Sequence, residues 1–304
     1  RNRIASETLA KRGLYESVTF SFLSMKDFKM YSENVQPVIL DNPISEDLSV
    51  MRPSLLPNLI NNFIKNNNKG LKNFGLYEVG SIYLGDKDRD QILSSAGIRF
   101  GAVLERHWAI KQREADIYDV KKDLYNILEA NGINLNSLSI IEETPKWYHP
   151  GRSASVKLGK TVLGYFGELH PKYTELYGMR IKCFELFHNK LPKINKNKYN
   201  KEHTSYSLMP LKRDFAFLTD INTLSENIIK SIKKSLDSFN QVQLLEINLF
   251  DVYMDKLSST KHKSIAVEVV MQPIEKTLKD SEIQNICSAI IENVKKNTNA
   301  ELRE

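Results

Sequence analysis

Cysteine is almost missing from this chain: Cys183 and Cys287 are the only two in 304 residues. They lie far apart, with no Cys or His partners at metal-finger spacing, so neither a disulfide scaffold nor a local structural zinc is expected. Cys287 sits on an apolar helical stripe and reads as a core residue. Long hydrophobic runs are missing too. Nothing approaches the roughly 18 apolar residues of a membrane span, and the start lacks the basic-then-apolar order of a signal peptide. A soluble, intracellular, cytoplasmic protein with no membrane partner follows. No Ser-His-Asp or Cys-His set stands out as a nucleophilic site. An initiating methionine is absent as well: the chain opens on Arg1, as a piece of something larger would.

What is present suffices for more than one core. At this length two domains are the natural expectation. The net charge is +6, but its placement says more than its size. The excess gathers in 189–204, where Lys190, Lys193, Lys196, Lys198 and Lys201 face a single acid, Glu202. Few residues there can build a core, so 191–206 reads as a basic connector between domains at 1–190 and 207–304. A solvated linker is the plain reading, and phosphate contacts to RNA are the alternative.

In chain order, Ile4, Thr8 and Leu9 recur at helical spacing before Gly13. Val18, Phe20 and Phe22 then alternate with Thr19 and Ser21, the period of a half-buried strand. Gln36–Leu40 is a further extended run. Asn42-Pro43 opens a turn, and Ser54 is placed to cap a helix with Pro57 near its start, running through Leu59, Ile60, Phe63 and Ile64. A strand follows over 74–84. Asp116–Ala130 is an amphipathic helix closed by Asn131-Gly132, and strands are expected at 139–142, 154–158, 162–168 and 183–187. Trp108, Trp147 and Tyr148 read as packing residues, Gly151 and Gly167 as turn positions, and Arg152 as an ion-pair partner. His149, Glu168 and His170 lack the local spacing of a metal site.

The run Asn42-Pro43-Ile44-Ser45, then Met51-Arg52-Pro53-Ser54-Leu55-Leu56-Pro57 and Tyr77-Glu78-Val79-Gly80-Ser81-Ile82-Tyr83, resembles the catalytic-like core of bacterial phenylalanyl-tRNA synthetase β subunits. Tyr148-His149-Pro150-Gly151-Arg152-Ser153-Ala154 and Gly164-Tyr165-Phe166-Gly167-Glu168-Leu169-His170-Pro171 extend the resemblance over most of the first 190 residues. It implies a class II synthetase-like mixed or antiparallel sheet with helices. It also implies that the unit is silent. Catalytic class II enzymes follow the strand matching Tyr77–Tyr83 with an arginine on the ATP α-phosphate, and here Leu84-Gly85-Asp86 stands instead. No glycine-rich segment ending in arginine supplies the third class II motif. Asp86, Asp88 and Asp90, interleaved with Lys87 and Arg89, read as a solvated turn. No catalytic, cofactor-binding or metal residue is assigned.

Beyond Pro210 the expected order is strand (213–219), helix (224–239), two strands, a helix with Ile283, Ile286, Cys287, Ile290 and Val294 on one stripe, and a last short strand at Leu302-Arg303. This is βαββαβ, the ferredoxin-like arrangement, with helices on one face and the other open. Alternation assigns Phe250 and Val252 to the covered face with Ile265 and Val267. It assigns Asp251, Tyr253 and Ser264 to the open face, with Leu302 inward and Arg303 outward. A face offering an aromatic ring, a carboxylate and a hydroxyl suits an unpaired base.

This half resembles the ferredoxin-fold anticodon-binding domain of the same β subunits, on Pro210, Arg213-Asp214, Phe250-Asp251-Val252-Tyr253, Lys263-Ser264, Thr277-Leu278 and Leu302-Arg303. The resemblance implies that Tyr253 stacks on an anticodon base, with Asp251, Ser264 and Arg303 hydrogen-bonding nearby. Arg213 is a weaker candidate, since pairing with Asp214 or Glu246 would also account for it. For the whole protein the resemblance implies a C-terminal portion of the β subunit in an α2β2 assembly. That assembly attaches phenylalanine to tRNA(Phe) with ATP and Mg2+ in the α subunit, and neither is held by this chain. Two rivals remain: an independent ATP-using carboxylate-activating enzyme, and a synthetase-derived RNA-binding or scaffold protein.

Overall fold

The computed structural model describes residues 1–193, 206–254 and 262–303. The expected connector falls, apart from its ends, outside the described residues. The chain divides into two compact units, Arg1–Lys201 and Glu202–Glu304.

The first unit runs α1 (Asn2–Lys11), β1 (Tyr15–Glu16), β2 (Phe22–Leu23), α2 (Met25–Met30), β3 (Val50–Met51), α3 (Leu56–Asn68), β4 (Gly75–Tyr83), β5 (Gln91–Arg99), α4 (Ile117–Ala130), β6 (Leu138–Ile141), β7 (Tyr148–Leu158), β8 (Thr161–Leu169), α5 (Pro171–Tyr177) and β9 (Lys182–Phe187). Seven strands form one sheet in the order β1-β4-β5-β9-β8-β7-β6. It is antiparallel except at the β1–β4 edge, where the pairing is parallel. Strand β9 is buried along its whole length because both faces are covered. Phe184 and Leu186 pack with Leu9 of α1 and Val120, Leu124 and Ile127 of α4. Cys183 and Phe187 point the other way, into the cluster of Leu59, Ile60 and Phe63 of α3 with Tyr148 and Tyr173. Asp116 caps α4 and the Asp119 carboxylate returns to its backbone N–H, which fixes where the amphipathic helix begins. Inside α4, buried Asp123 takes Arg12 at 2.8 Å and Arg99 at 2.5 Å, tying α1 and β5 to the helix.

Two expectations fail here for a stated physical reason. The strand expected through Val18 and Phe20 does not form, and these side chains are 88% and 67% exposed. Their backbone is satisfied by side chains instead. Thr19 N–H and Oγ1 donate to the Glu78 carboxylate, Arg52 Nη1 donates to Glu78 at 2.7 Å and to the Phe20 carbonyl, and Asn58 donates to the same carbonyl. Trp108, expected to pack, is 95% exposed at the tip of an excursion between β5 and α4. Trp147 and Tyr148 are buried as expected. Helix α3 starts at Leu56 with Pro57 in its first turn, and Ser54 Oγ accepts from Leu56 N–H. Gly151 and Gly167 lie within strands rather than turns. At Gly167, φ is +148°, and a Cβ would lie 2.4 Å from the Arg152 carbonyl, a close approach reserved for glycine.

The second unit runs β10 (Leu211–Asp220), α6 (Ser225–Leu236), β11 (Val242–Tyr253), β12 (His262–Pro273), α7 (Asp280–Thr298) and β13 (Glu301–Leu302). The order β11-β12-β10-β13, antiparallel throughout, is the expected ferredoxin-like βαββαβ sheet. Ile228, Ile232 and Leu236 of α6 and Ile286, Ile290 and Val294 of α7 bury one face against Phe215, Phe217, Ile265, Val267, Val269 and Met271. The other face carries no helix among the described residues. The α+β class with a mixed sheet followed by a ferredoxin-like sheet is thus the architecture found.

Candidate nucleic-acid interface

The open face is best built row by row, because directly opposed residues of antiparallel strands share a side. Ile265 is buried beneath the helices, so its neighbours Ser264 and Ala266 face outward. Opposite Ser264 stand Tyr253 on β11 and Leu218 on β10, with Glu301 beyond. The next row is Asp251, Ala266 and Ala216, and the Arg303 N–H reaches the Ala216 carbonyl at 2.7 Å. In these rows the two central strands offer the small side chains Ser264, Ala266 and Ala216 together with the half-exposed Leu218, while Tyr253 and Arg303 rise from the two edges.

Those edges lie three strand spacings apart, about 14 Å, and two of their side chains still meet. The Arg303 guanidinium carbon is 5.9 Å from the centre of the Tyr253 ring. Tyr253 is 53% exposed, whereas Ser264 beside it is only 6% exposed. An exposed cation–π contact contributes about 0.5–1 kcal/mol, less than the roughly 1–3 kcal/mol of a base stacked on an aromatic ring. A base can thus take the ring from Arg303 and release a guanidinium for base edges. Asp251 makes no ion pair among the described residues and stands ready as an acceptor.

Four of the five residues singled out from the sequence are brought onto this face: Tyr253, Asp251, Ser264 and Arg303. Arg213 is not. It pairs with Val269 of the helix-covered set, and its guanidinium lies beside the Cys287 thiol, whose pKa is raised by burial against the opposing pull of that charge. It pairs with neither Asp214 nor Glu246 and donates instead to the Lys212 carbonyl.

The covered side of β11 departs from expectation at Phe250. Val252 stands opposite Ile265 and so shares its side as expected, but both it and Phe250 are exposed, and the core contacts of this strand come from Val242, Leu244, Ile247 and Leu249. Bulges at Leu245 and Phe250 shift the alternation twice. Counting back by twos from Tyr253 is right for Asp251 and wrong from Leu249 onward. Ala216, Ala266 and Leu218 were missed by sequence reasoning, since their place beside Tyr253 emerges only once three strands are in register.

The surroundings are not basic. Asp214, Glu246, Glu268 and Glu301 share the face with Lys212, which is bound to Glu268 at 3.1 Å. Phosphate attraction is therefore not what this surface supplies. Stacking and base-edge contacts are.

The first unit offers a contrasting interior. Glu185 is buried and accepts from Ser54 Oγ at 2.5 Å, Trp147 Nε1 at 3.2 Å and Tyr148 OH at 3.2 Å. Burial raises its pKa while these three donors oppose the shift. The residues once considered for a metal are occupied locally. Arg152 pairs with Glu168 at 2.9 Å, and His149 and His170 each accept a nearby backbone N–H.

The phenylalanyl-tRNA synthetase β-chain CLM domain family matches residues 1–187, and the ferredoxin-fold anticodon-binding domain family matches residues 207–303. The chain belongs to the phenylalanyl-tRNA synthetase β-chain family. Among β-chain relatives, the phenylalanine–tRNA ligase β subunit of Paramagnetospirillum magneticum is 39% identical over 97% of this chain and 37% of its own length. That of Bradyrhizobium diazoefficiens is 35% identical over 100% of this chain and 38% of its own. The chain thus spans 37–38% of the length of the curated β subunits it matches. A pyrrolysyl-tRNA synthetase from Desulfitobacterium hafniense aligns with 62% of this chain and 63% of its own at 17% identity and TM-score 0.48, too distant to add to the assignment.

Proposed function

We propose that this chain is a non-catalytic, tRNA-recognising part of phenylalanine–tRNA ligase, and that the open face of its second unit receives the anticodon region of tRNA(Phe). The observation that carries this is the Tyr253–Arg303 bracket over Ser264, Ala266 and Ala216, on a sheet face left free of helices. Tyr253 is assigned the base stack, and Asp251, Ser264 and Arg303 the hydrogen bonds around it.

Mg2+ and ATP belong, on this reading, to an α subunit within an α2β2 assembly. The residues of the first unit do not fit them. Leu84, Gly85 and Asp86 follow β4 where a phosphate-binding arginine would stand. Arg52 is committed to Glu78 and to the Ser81 carbonyl. Among the described residues no three His, Cys, Asp or Glu side chains gather as metal ligands. Among the described residues no helix is long and apolar enough to cross a membrane.

The test is co-expression with an α subunit, followed by phenylalanine charging and by titration of the chain with an anticodon stem-loop. Binding of that stem-loop, weakened by Tyr253→Ala, is the expected result. Equal affinity for stem-loops of unrelated tRNAs would favour a general RNA-binding role. Pyrophosphate exchange by the chain alone would overturn the non-catalytic assignment.

A further inference from the structure

Between β5 and α4 the chain leaves the sheet in an excursion, 101–115, whose purpose the anticodon reading does not explain. Its base is fastened. Ala115 N–H donates to the Gly101 carbonyl at 2.8 Å, Val103 N–H to the Arg113 carbonyl at 3.0 Å, and Ala102 N–H to Asn73 Oδ1 at 2.8 Å. Arg113 grips Asp119 at the start of α4 through two bonds of 2.7 Å. Every residue from 104 to 114 is nevertheless exposed.

At the tip stands Trp108, with the His107 ring stacked against it at 5.9 Å and 26°. His107 Nδ1 accepts the Ala109 N–H at 3.1 Å, which fixes the imidazole and leaves Nε2 outward. Arg106 and Lys111 flank the pair, and neither makes an ion pair among the described residues, whereas Arg113 is already committed to Asp119. The exposed large apolar side chains of the excursion are Leu104, Trp108 and Ile110. An aromatic ring buries about 150–250 Å², so three side chains of at most that size fall short of the roughly 800 Å² per partner of a stable protein interface. One free ring between two uncommitted cations is instead what one unpaired base and its neighbouring phosphates require.

We propose that the tip of 101–115 is a second RNA contact, in which the open side of the Trp108 indole stacks on an unpaired base of the tRNA while Arg106 and Lys111 hold the adjoining phosphates. This rests on the reading of the chain as a tRNA binder, but it uses a surface distinct from the Tyr253 face.

The chain holds only two tryptophans, Trp108 and the buried Trp147, so intrinsic fluorescence reports the tip directly. The 304-residue chain is titrated with a tRNA(Phe) transcript and, separately, with its anticodon stem-loop, while acrylamide quenching is followed. Whole tRNA is expected to quench and shield Trp108. Trp108→Ala should weaken whole-tRNA binding by roughly 5- to 150-fold, the range of one lost base stack, and Trp108→Phe should restore most of it. The remaining Trp147 emission reports that both variants are folded. The stem-loop should bind without changing Trp108 emission. Unchanged quenching and unchanged affinity in Trp108→Ala, with stem-loop binding intact, would overturn this inference and leave the anticodon assignment standing. Loss of stem-loop binding sensitivity to Tyr253→Ala would overturn the anticodon assignment instead. Shielding of Trp108 by an α subunit but not by tRNA would also overturn the inference, in favour of a protein contact.

Discussion

The two units use their sheets in opposite ways. In the first, both faces are covered, and two charged groups trapped inside find their partners there: Glu185 in Ser54, Trp147 and Tyr148, and Arg52 in Glu78. In the second, one face is packed and the other presents a ring, a carboxylate and a guanidinium whose partners are few or weak. Buried polar groups with complete partners hold a fold together. Exposed ones arrayed over small side chains leave interaction capacity for a ligand. The difference between scaffold and platform is thus a difference in who satisfies the polar groups.

Breaking the scaffold should produce the largest effects. Arg52→Ala leaves the Glu78 charge buried and removes the guanidinium's bonds to Thr19 Oγ1 and the Phe20 carbonyl, and should lower stability by about 3–5 kcal/mol. Urea denaturation would show it as a lower midpoint for the first unit, with the second unit unaffected. Glu185→Ala strips three donors of their acceptor and should cost roughly 2–4 kcal/mol.

The pH dependence tests the same site. Because burial raises the Glu185 pKa above its unfolded value, the folded state holds this proton more tightly. The contribution is therefore complete below the unfolded pKa and is lost as pH rises through the raised one. His188 acts in the opposite sense. Burial lowers it to about 4, so its contribution is present above its unfolded pKa and is lost as pH falls toward 4. Comparing Glu185→Gln with the parent isolates the carboxyl: the variant's unfolding midpoint should fall less from mildly acidic to neutral pH.

Changes on the platform should leave stability alone and move binding. Tyr253→Ala should weaken anticodon stem-loop binding by about 1–3 kcal/mol, read by anisotropy, with an unchanged urea midpoint. A shift in the midpoint would mean that the ring belongs to the core. The acidic surroundings also require a shallow salt dependence of stem-loop binding. The smallest effect is expected from Arg213→Ala. Its side chain is on the helix-covered side, so stem-loop affinity should change less than twofold.

Much of this was legible in the sequence. The helical stripes of 117–130 and 280–298 and the period-two apolar set of 265–271 carry their own periodicity, and packing agreed with it. The Phe-Asp-Val-Tyr stretch gave the facing of Asp251 and Tyr253, which fall on one side whatever happens upstream. What stayed hidden was set by distant partners. Residues 17–21 have a strand pattern, but only Ser17 N–H reaches a neighbouring strand, at the Tyr77 carbonyl, while Thr19 and Phe20 bond to the side chains of Glu78, Arg52 and Asn58. The exposure of Trp108 and the inward turn of Leu249 likewise depend on tertiary anchoring and on bulges, which local periodicity does not encode.

Those bulges have a consequence beyond facing. Strand β11 is an edge of its four-stranded sheet, and an unbroken edge is a template on which another chain's strand can grow. Leu245 and Phe250 break the pairing of β11 with β12 at two points, and a bulge bends its strand and adds twist, so an incoming strand meets no long, straight row of matched donors and acceptors on the free edge. The sheet can thus leave one face uncovered while discouraging the fibrous self-association that an open, partly apolar edge invites.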